Sequence, residues 1–134
     1  MEPLSVLLVE DVPDNANLAG MVFERAGFSV TTVTTGADAL AALEEKSFGV
    51  IALDLRLPDV DGHELATRMK ADPRLARTPI VAITALAMKG DREHALEAGC
   101  DAYITKPINT RTLADDIRRI VDEFRGAGAP TAGG

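Results

Sequence analysis

The sequence predicts an α/β fold in which five strands alternate with five helices and align as one parallel sheet covered on both faces. Three observations carry that reading. Short runs of apolar and β-branched residues recur along the chain, and most are followed at once by a polar or charged residue, as in Val50-Ile51-Ala52-Leu53-Asp54. The segments between them repeat apolar residues at helical spacing and carry helix start and stop signals. The alternation of strand and helix runs from Ser5 to Phe124 without an internal repeat or a linker, the order that right-handed crossovers build into a parallel sheet.

Ser5-Val6-Leu7-Leu8-Val9 is the first strand and stops at Glu10-Asp11. Pro13 suits the first turn of a helix in which Leu18, Met21, Val22 and Arg25 are the expected stripe and Gly27 the stop. Phe28 to Val33 mixes β-branched and polar residues and reads as a shorter strand. Thr35 can cap the second helix, with Leu40 and Leu43 on one face and Lys46-Ser47 at its end. The third strand ends on Asp54, and Pro58 and Gly62 close the segment behind it. Asp61 and Glu64 have capping-box spacing for a third helix that carries Leu65, Met69 and Lys70 and ends at Asp72-Pro73. Ile80-Val81-Ala82-Ile83 is the fourth strand, stopping at Thr84-Ala85, and a helix is expected over about Gly90 to Ala98 with Gly99 past its end. Ala102-Tyr103-Ile104-Thr105 is the fifth strand, followed by Lys106-Pro107. Asn109 is the expected cap of the last helix, whose Leu113, Ile117, Ile120, Val121 and Phe124 form the clearest stripe. Residues 1–125 are therefore expected to be one domain and residues 126–134 a flexible Gly/Ala tail.

A 134-residue domain buries roughly two-thirds of its unfolded surface and needs no staples. The single Cys100 cannot close an internal disulfide and reads as a small buried filler. No basic start precedes a long apolar run, and the stretch from Pro79 to Met88 is about half of a roughly 20-residue membrane span, so neither signal peptide nor anchor is expected. A cytoplasmic protein is the natural expectation. A formal charge of −7 opposes binding to nucleic acid or an anionic membrane and favours protein partners.

Glu10, Asp11, Asp54, Thr84 and Lys106 all fall at the carboxyl ends of predicted strands, and so at one rim of the sheet, where open α/β folds collect ligands. Crowded carboxylates repel one another, and a hard cation such as Mg²⁺ relieves this while leaving one carboxylate free as a nucleophile that can form an aspartyl phosphate. The charge spread over a transferring phosphoryl group then calls for a cation and a donor, which Lys106 and Thr84 supply. Each residue alone has a plainer role. Asp11 is close enough to Pro13 to cap its helix, Thr84 can donate locally, Tyr103 can simply pack, and Arg56 is most simply a solvated loop side chain. His63 and His94 have no acidic or cysteine partners at ligand spacing and read as solvated helix positions. It is the combination that a purely structural account leaves unexplained.

Glu10-Asp11, Asp54-Leu55-Arg56-Leu57-Pro58-Asp59-Val60-Asp61-Gly62, Thr84-Ala85 and Lys106-Pro107 resemble the full motif set of response-regulator receiver domains of two-component signalling, over roughly residues 4 to 124. The runs from Thr84 to Asp91, Ala98 to Tyr103 and Lys106 to Asn109 are similar to DivK-type single-domain regulators and to receivers of hybrid histidine kinases. The resemblance implies a CheY-like, flavodoxin-like doubly wound (βα)5 fold with strand order 2-1-3-4-5. It implies that Asp54 accepts a phosphoryl group from a phosphohistidine, and that Asp11, Asp54 and the backbone carbonyl of Arg56 ligate Mg²⁺, with Glu10 holding a metal-bound water. Lys106, Thr84 and the Ala85 backbone would contact the phosphate, the Lys106–Pro107 bond would be cis, and Thr84 with Tyr103 would carry the switch to a partner surface. Arg56 and Leu86, two residues beyond Asp54 and Thr84, occupy places that often modulate dephosphorylation. The partners implied are a sensor histidine kinase or histidine phosphotransfer protein and a downstream protein target. The chain would then be a monomer or weak dimer and no enzyme beyond self-phosphorylation and autodephosphorylation.

Three other functions share this fold class. A flavin or nucleotide binder would place Gly, Ser and Thr donors after the first strand, whereas Glu10-Asp11 repels a bare phosphate. A phosphatase with an aspartate nucleophile would want a second acid two residues on, where Arg56 stands. A phosphorylation-independent scaffold would lack Asp11, Asp54 or Lys106, and all three are present; the receiver piece of a hybrid histidine kinase remains an alternative to a stand-alone regulator.

Overall fold

In the computed structural model, which describes residues 3–85 and 88–127, five strands form one parallel sheet of order β2-β1-β3-β4-β5. The strands are β1 (Ser5–Val9), β2 (Ser29–Val33), β3 (Val50–Leu53), β4 (Ile80–Thr84) and β5 (Ala102–Thr105). They alternate with α1 (Pro13–Arg25), α2 (Gly36–Glu45), α3 (Gly62–Lys70), α4 (Asp91–Ala98) and α5 (Leu113–Ala127). This is the doubly wound architecture expected, with its topological switch between β1 and β3.

Successive strand residues point to opposite faces, so the central strands are buried throughout and divide their side chains between two cores. Leu7, Val9, Ile51, Leu53, Ile80 and Ala82 face one core with Leu43, Leu65 and Met69 from α2 and α3. Val6, Leu8, Val50, Ala52, Val81 and Ile83 face the other with Ala19, Phe23, Leu113, Ile117 and Val121 from α1 and α5. A one-residue slip of any central strand would exchange its two sets of contacts, which fixes the register and with it the rim.

Several local expectations are corrected. α1 buries Ala16, Ala19 and Phe23 and leaves Leu18 and Met21 largely exposed, because small alanines let the helix approach the sheet closely and Phe23 fills the space below. Phe28 lies before β2 rather than in it, its ring stacked on Phe23 at 5.7 Å between centroids. Val12, not Asp11, occupies the cap position of α1, and the Val12 N–H donates to Glu10 Oε2 at 3.2 Å. Asp61 caps α3 through the His63 N–H at 2.9 Å, one residue earlier than a capping box predicts. α3 does end just before Asp72-Pro73, at Lys70, and the unexpected feature is that Pro73–Leu75 then forms a 3₁₀ turn capped by Asp72. Asn109 begins a turn by accepting from the Arg111 N–H, and α5 starts only at Leu113. That helix runs through Gly126 and Ala127, into the stretch expected to be tail; residues 128–134 lie outside the described residues.

Candidate functional site

Strand register brings the rim residues together. The Asp54 N–H donates to Val9 O at 3.0 Å, so the residue after β3 stands beside the Glu10-Asp11 pair after β1. On the other side, Thr84 is the last residue of β4, and the Lys106 N–H donates to Thr84 O at 2.9 Å. The peptide bond from Lys106 to Pro107 is cis. Four strand ends, separated by up to 96 residues of chain, thus converge on one crevice.

The Lys106 ammonium lies 2.5 Å from Glu10 Oε1 and 3.0 Å from Asp54 Oδ2. Glu10 is held at its other oxygen by Val12, and the Arg56 N–H donates to Asp54 Oδ1 at 2.9 Å. Both carboxylates are about 5% exposed, and Asp11 is partly exposed at the mouth. Burial pushes the Glu10 carboxyl above its ordinary range, against the pull of Lys106. Burial also works to lower the Lys106 pKa, but the bonds to Glu10 and Asp54 outweigh it and hold the ammonium charged.

Glu10, Asp11 and Asp54 each offer an oxygen, all within 4.8 Å of one another. Three carboxylates face one ammonium. Hard oxygen donors with an excess of negative charge suit Mg²⁺ or a similar divalent cation, so the residues present fit such an ion. A cavity of about 90 Å³ opens beside them between Asn15, Leu18 and Ala19 of α1 and Ile83, Pro107 and Ile108 across the sheet edge.

Thr84 is fully buried and Ala85 exposed beside it. Arg56 is exposed, as expected of a loop side chain, while its backbone touches Asp54. Tyr103 is half-buried, with its hydroxyl enclosed and without a hydrogen-bond partner among the described residues; burial first, and the charge of Asp91 second, raise its pKa. Leu86 lies outside the described residues. The expectation of solvated helix positions holds for His94, which is exposed, and is corrected for His63, which is only 16% exposed, bonds Asp61 through Nδ1 at 3.1 Å, and stacks on His94 with ring centroids 4.1 Å apart. Packing of α3 against α4 makes that pair, and no spacing along the chain announces it. Sequence reasoning also missed the partner of Asp59, which serves not the start of its own helix, α3, but that of α2, accepting from two of its amides across 22 and 23 residues of chain.

A family model described as response regulator receiver domain matches residues 6–118. The polar-differentiation response regulator DivK of Brucella anthropi is 37% identical over 116 residues, which span 87% of this chain and 94% of that protein. Among solved structures, a CheY-like receiver domain protein from Methanospirillum hungatei superposes with a TM-score of 0.84 at 28% identity, covering 93% of this chain and 98% of the other. The receiver domain of the sensor histidine kinase PA1611 from Pseudomonas aeruginosa, with a magnesium ion coordinated in its active-site cleft, gives 0.79 at 34% identity, covering 93% and 99%.

Proposed function

This chain belongs to the response regulator receiver domain family of two-component signalling, and from that membership we propose that it is a stand-alone receiver whose Asp54 carries the phosphoryl group. The observation that supports this most directly is the Lys106 ammonium 3.0 Å from Asp54 Oδ2, at a rim that also holds Glu10 and Asp11. An Asp54 oxygen attacks the phosphorus of a phosphohistidine; the P–N bond breaks and its electron pair returns to the imidazole nitrogen. Lys106 then exchanges a carboxylate for a phosphoryl oxygen, while Thr84 and the Ala85 backbone donate to the others. Asp11, Asp54 and the Arg56 carbonyl would hold Mg²⁺, with Glu10 holding one of its waters. When bound, that ion neutralises the carboxylates and the incoming phosphoryl charge.

Phosphorylation shifts an existing equilibrium between two conformations, with Thr84 and Tyr103 as the moving parts, and the readout is altered affinity for a downstream protein. The buried Tyr103 hydroxyl, which has no partner among the described residues, supports this, since such a group gains by finding a partner in another arrangement. A histidine kinase or phosphotransfer protein docks around Asn15, Leu18, Pro107 and Ile108, where exposed apolar surface borders the cavity. The protein works in the cytoplasm, as a monomer or weak dimer, with no activity beyond taking and losing its own phosphate. Among the described residues no helix is long and apolar enough to cross a membrane. The likeness to the PA1611 receiver favours, as a second reading, a receiver belonging to a hybrid histidine kinase; the size of the native protein on an immunoblot separates the two.

Incubation with radiolabelled acetyl phosphate and Mg²⁺ tests the acceptor. Wild type takes label and Asp54→Asn takes none; equal labelling of the two removes Asp54 from its role.

A further inference from the structure

The segment between β3 and α3 is closed on itself. Arg56 and Asp61 form an antiparallel bridge, the Gly62 N–H donates to Leu55 O at 3.1 Å, and Pro58-Asp59 is left at the tip. Loop tips are ordinarily the most mobile part of such a segment. This one is fastened. Asp59 Oδ1 accepts from the Gly36 N–H at 2.9 Å and Oδ2 from the Ala37 N–H at 3.1 Å. These are the first two amides of α2, which no bond within the helix can satisfy; the third, on Asp38, is taken locally by Thr35. The Val60 side chain lies over Gly36 so closely that a Cβ there would overlap its Cγ1. The Gly36 amide, with Ala37 beside it, holds the Asp59 carboxyl below its ordinary range despite its exposure.

The other end of the loop is the Arg56 N–H on Asp54 Oδ1. The segment that leads into α2 is likewise tied to the rim, because the Glu10 N–H donates to Val33 O at 3.0 Å. We propose that Asp59 is a positioning residue for Asp54: by latching the loop tip to the first turn of α2, it fixes the Arg56 N–H that holds one Asp54 oxygen and leaves the other turned to Lys106. The inference rests on the receiver reading for its consequence in phosphate uptake and on the hydrogen bonds alone for the latch.

Asp59→Ala and Thr35→Ala each remove side-chain caps from the same helix, but only the first touches the loop. The test compares them in three measurements: amide exchange at Arg56 in metal-free protein, the dissociation constant for Mg²⁺ by titration, and the rate of labelling by acetyl phosphate. In Asp59→Ala the Arg56 amide is expected to exchange about 10-fold faster, the Mg²⁺ dissociation constant to rise about 3-fold and labelling to slow in step. Thr35→Ala lowers the melting temperature similarly and leaves all three unchanged, and Asp59→Asn, which retains one acceptor oxygen, falls between wild type and Asp59→Ala. Unchanged Arg56 exchange in Asp59→Ala, or equal effects of the two alanine variants, overturns the latch. If wild type itself neither binds Mg²⁺ nor takes label, the receiver chemistry fails, and Arg56 exchange still decides whether Asp59 holds the loop.

Discussion

Replacing Lys106 by Met tests the charge balance on which the site depends. Methionine keeps an apolar stem of similar length and deletes the only ammonium bonded to Glu10 and Asp54 among the described residues. At an effective dielectric constant of about 20, each of those contacts corresponds to roughly 5–7 kcal/mol of Coulomb attraction before desolvation is counted. Removing one member of a buried ion pair costs about 3–5 kcal/mol in practice. Glu10 offers a partial escape, since its carboxyl is already raised by burial and can take up a proton instead. We therefore expect metal-free Lys106→Met to lose about 3 kcal/mol, or roughly 10 °C in melting temperature, at pH 7.5. The sign of the pH dependence follows from Glu10. A carboxyl with a raised folded pKa is compatible with folding below its unfolded value and opposes it as the pH climbs through the folded value, so the deficit of the variant shrinks toward pH 5. Mg²⁺ replaces the missing positive charge and stabilises Lys106→Met more than wild type. Combining Lys106→Met with Asp54→Asn removes one of the stranded carboxylates and recovers about 1–3 kcal/mol relative to Lys106→Met alone. Thermal unfolding of the four proteins, in EDTA and in Mg²⁺, reads all of this. A loss below about 1 kcal/mol in Lys106→Met, with no recovery in the double variant, would refute the reasoning.

A Cβ at Gly62 would fall 2.5 Å from Leu55 O and 2.7 Å from its carbonyl carbon, so Gly62→Ala must push apart the loop behind Asp54. The expected cost is about 1–3 kcal/mol by urea unfolding, against little change or a small gain for Gly20→Ala, whose Cβ meets nothing within 4 Å. Burial first, and the charge of Asp101 second, push the Cys100 thiol from 9.0 up to about 11. Its alkylation at pH 8 should be about 100-fold slower in the folded protein than in urea, and equal rates would contradict that burial. Asp59, Asp61 and Asp72 are all held below their ordinary value of 3.8, by the Gly36 amide, the His63 amide and the Arg74 guanidinium respectively. Their contribution is complete above pH 3.8 and lost as the pH falls through the lower folded values, so the melting temperature should begin to fall below about pH 4, and in Asp59→Ala it should start lower and fall less steeply; calorimetry across pH 2–5 checks this.

The sequence by itself determined where the strands and helices lie and which residues reach the rim. Those properties are local. Val50-Ile51-Ala52-Leu53 is a strand because its neighbours in the chain make it one, and the residue after such a strand must stand at the sheet edge, so Asp54, Thr84 and Lys106 were legible from their positions alone. The strand order came from likeness to a family, since alternating βα units are compatible with more than one order of winding. Only the tertiary structure decided the rotation of α1, which turned Phe23 rather than Leu18 inward, and the stacking of His63 on His94 between two helices. It alone paired Lys106 with Glu10 across 96 residues and carried Asp59 to the first turn of α2. These contacts depend on the phase of each helix against the sheet and on the path of loops between distant strands. Packing of the whole chain sets both, and no pattern within a turn or two of the residues concerned encodes either.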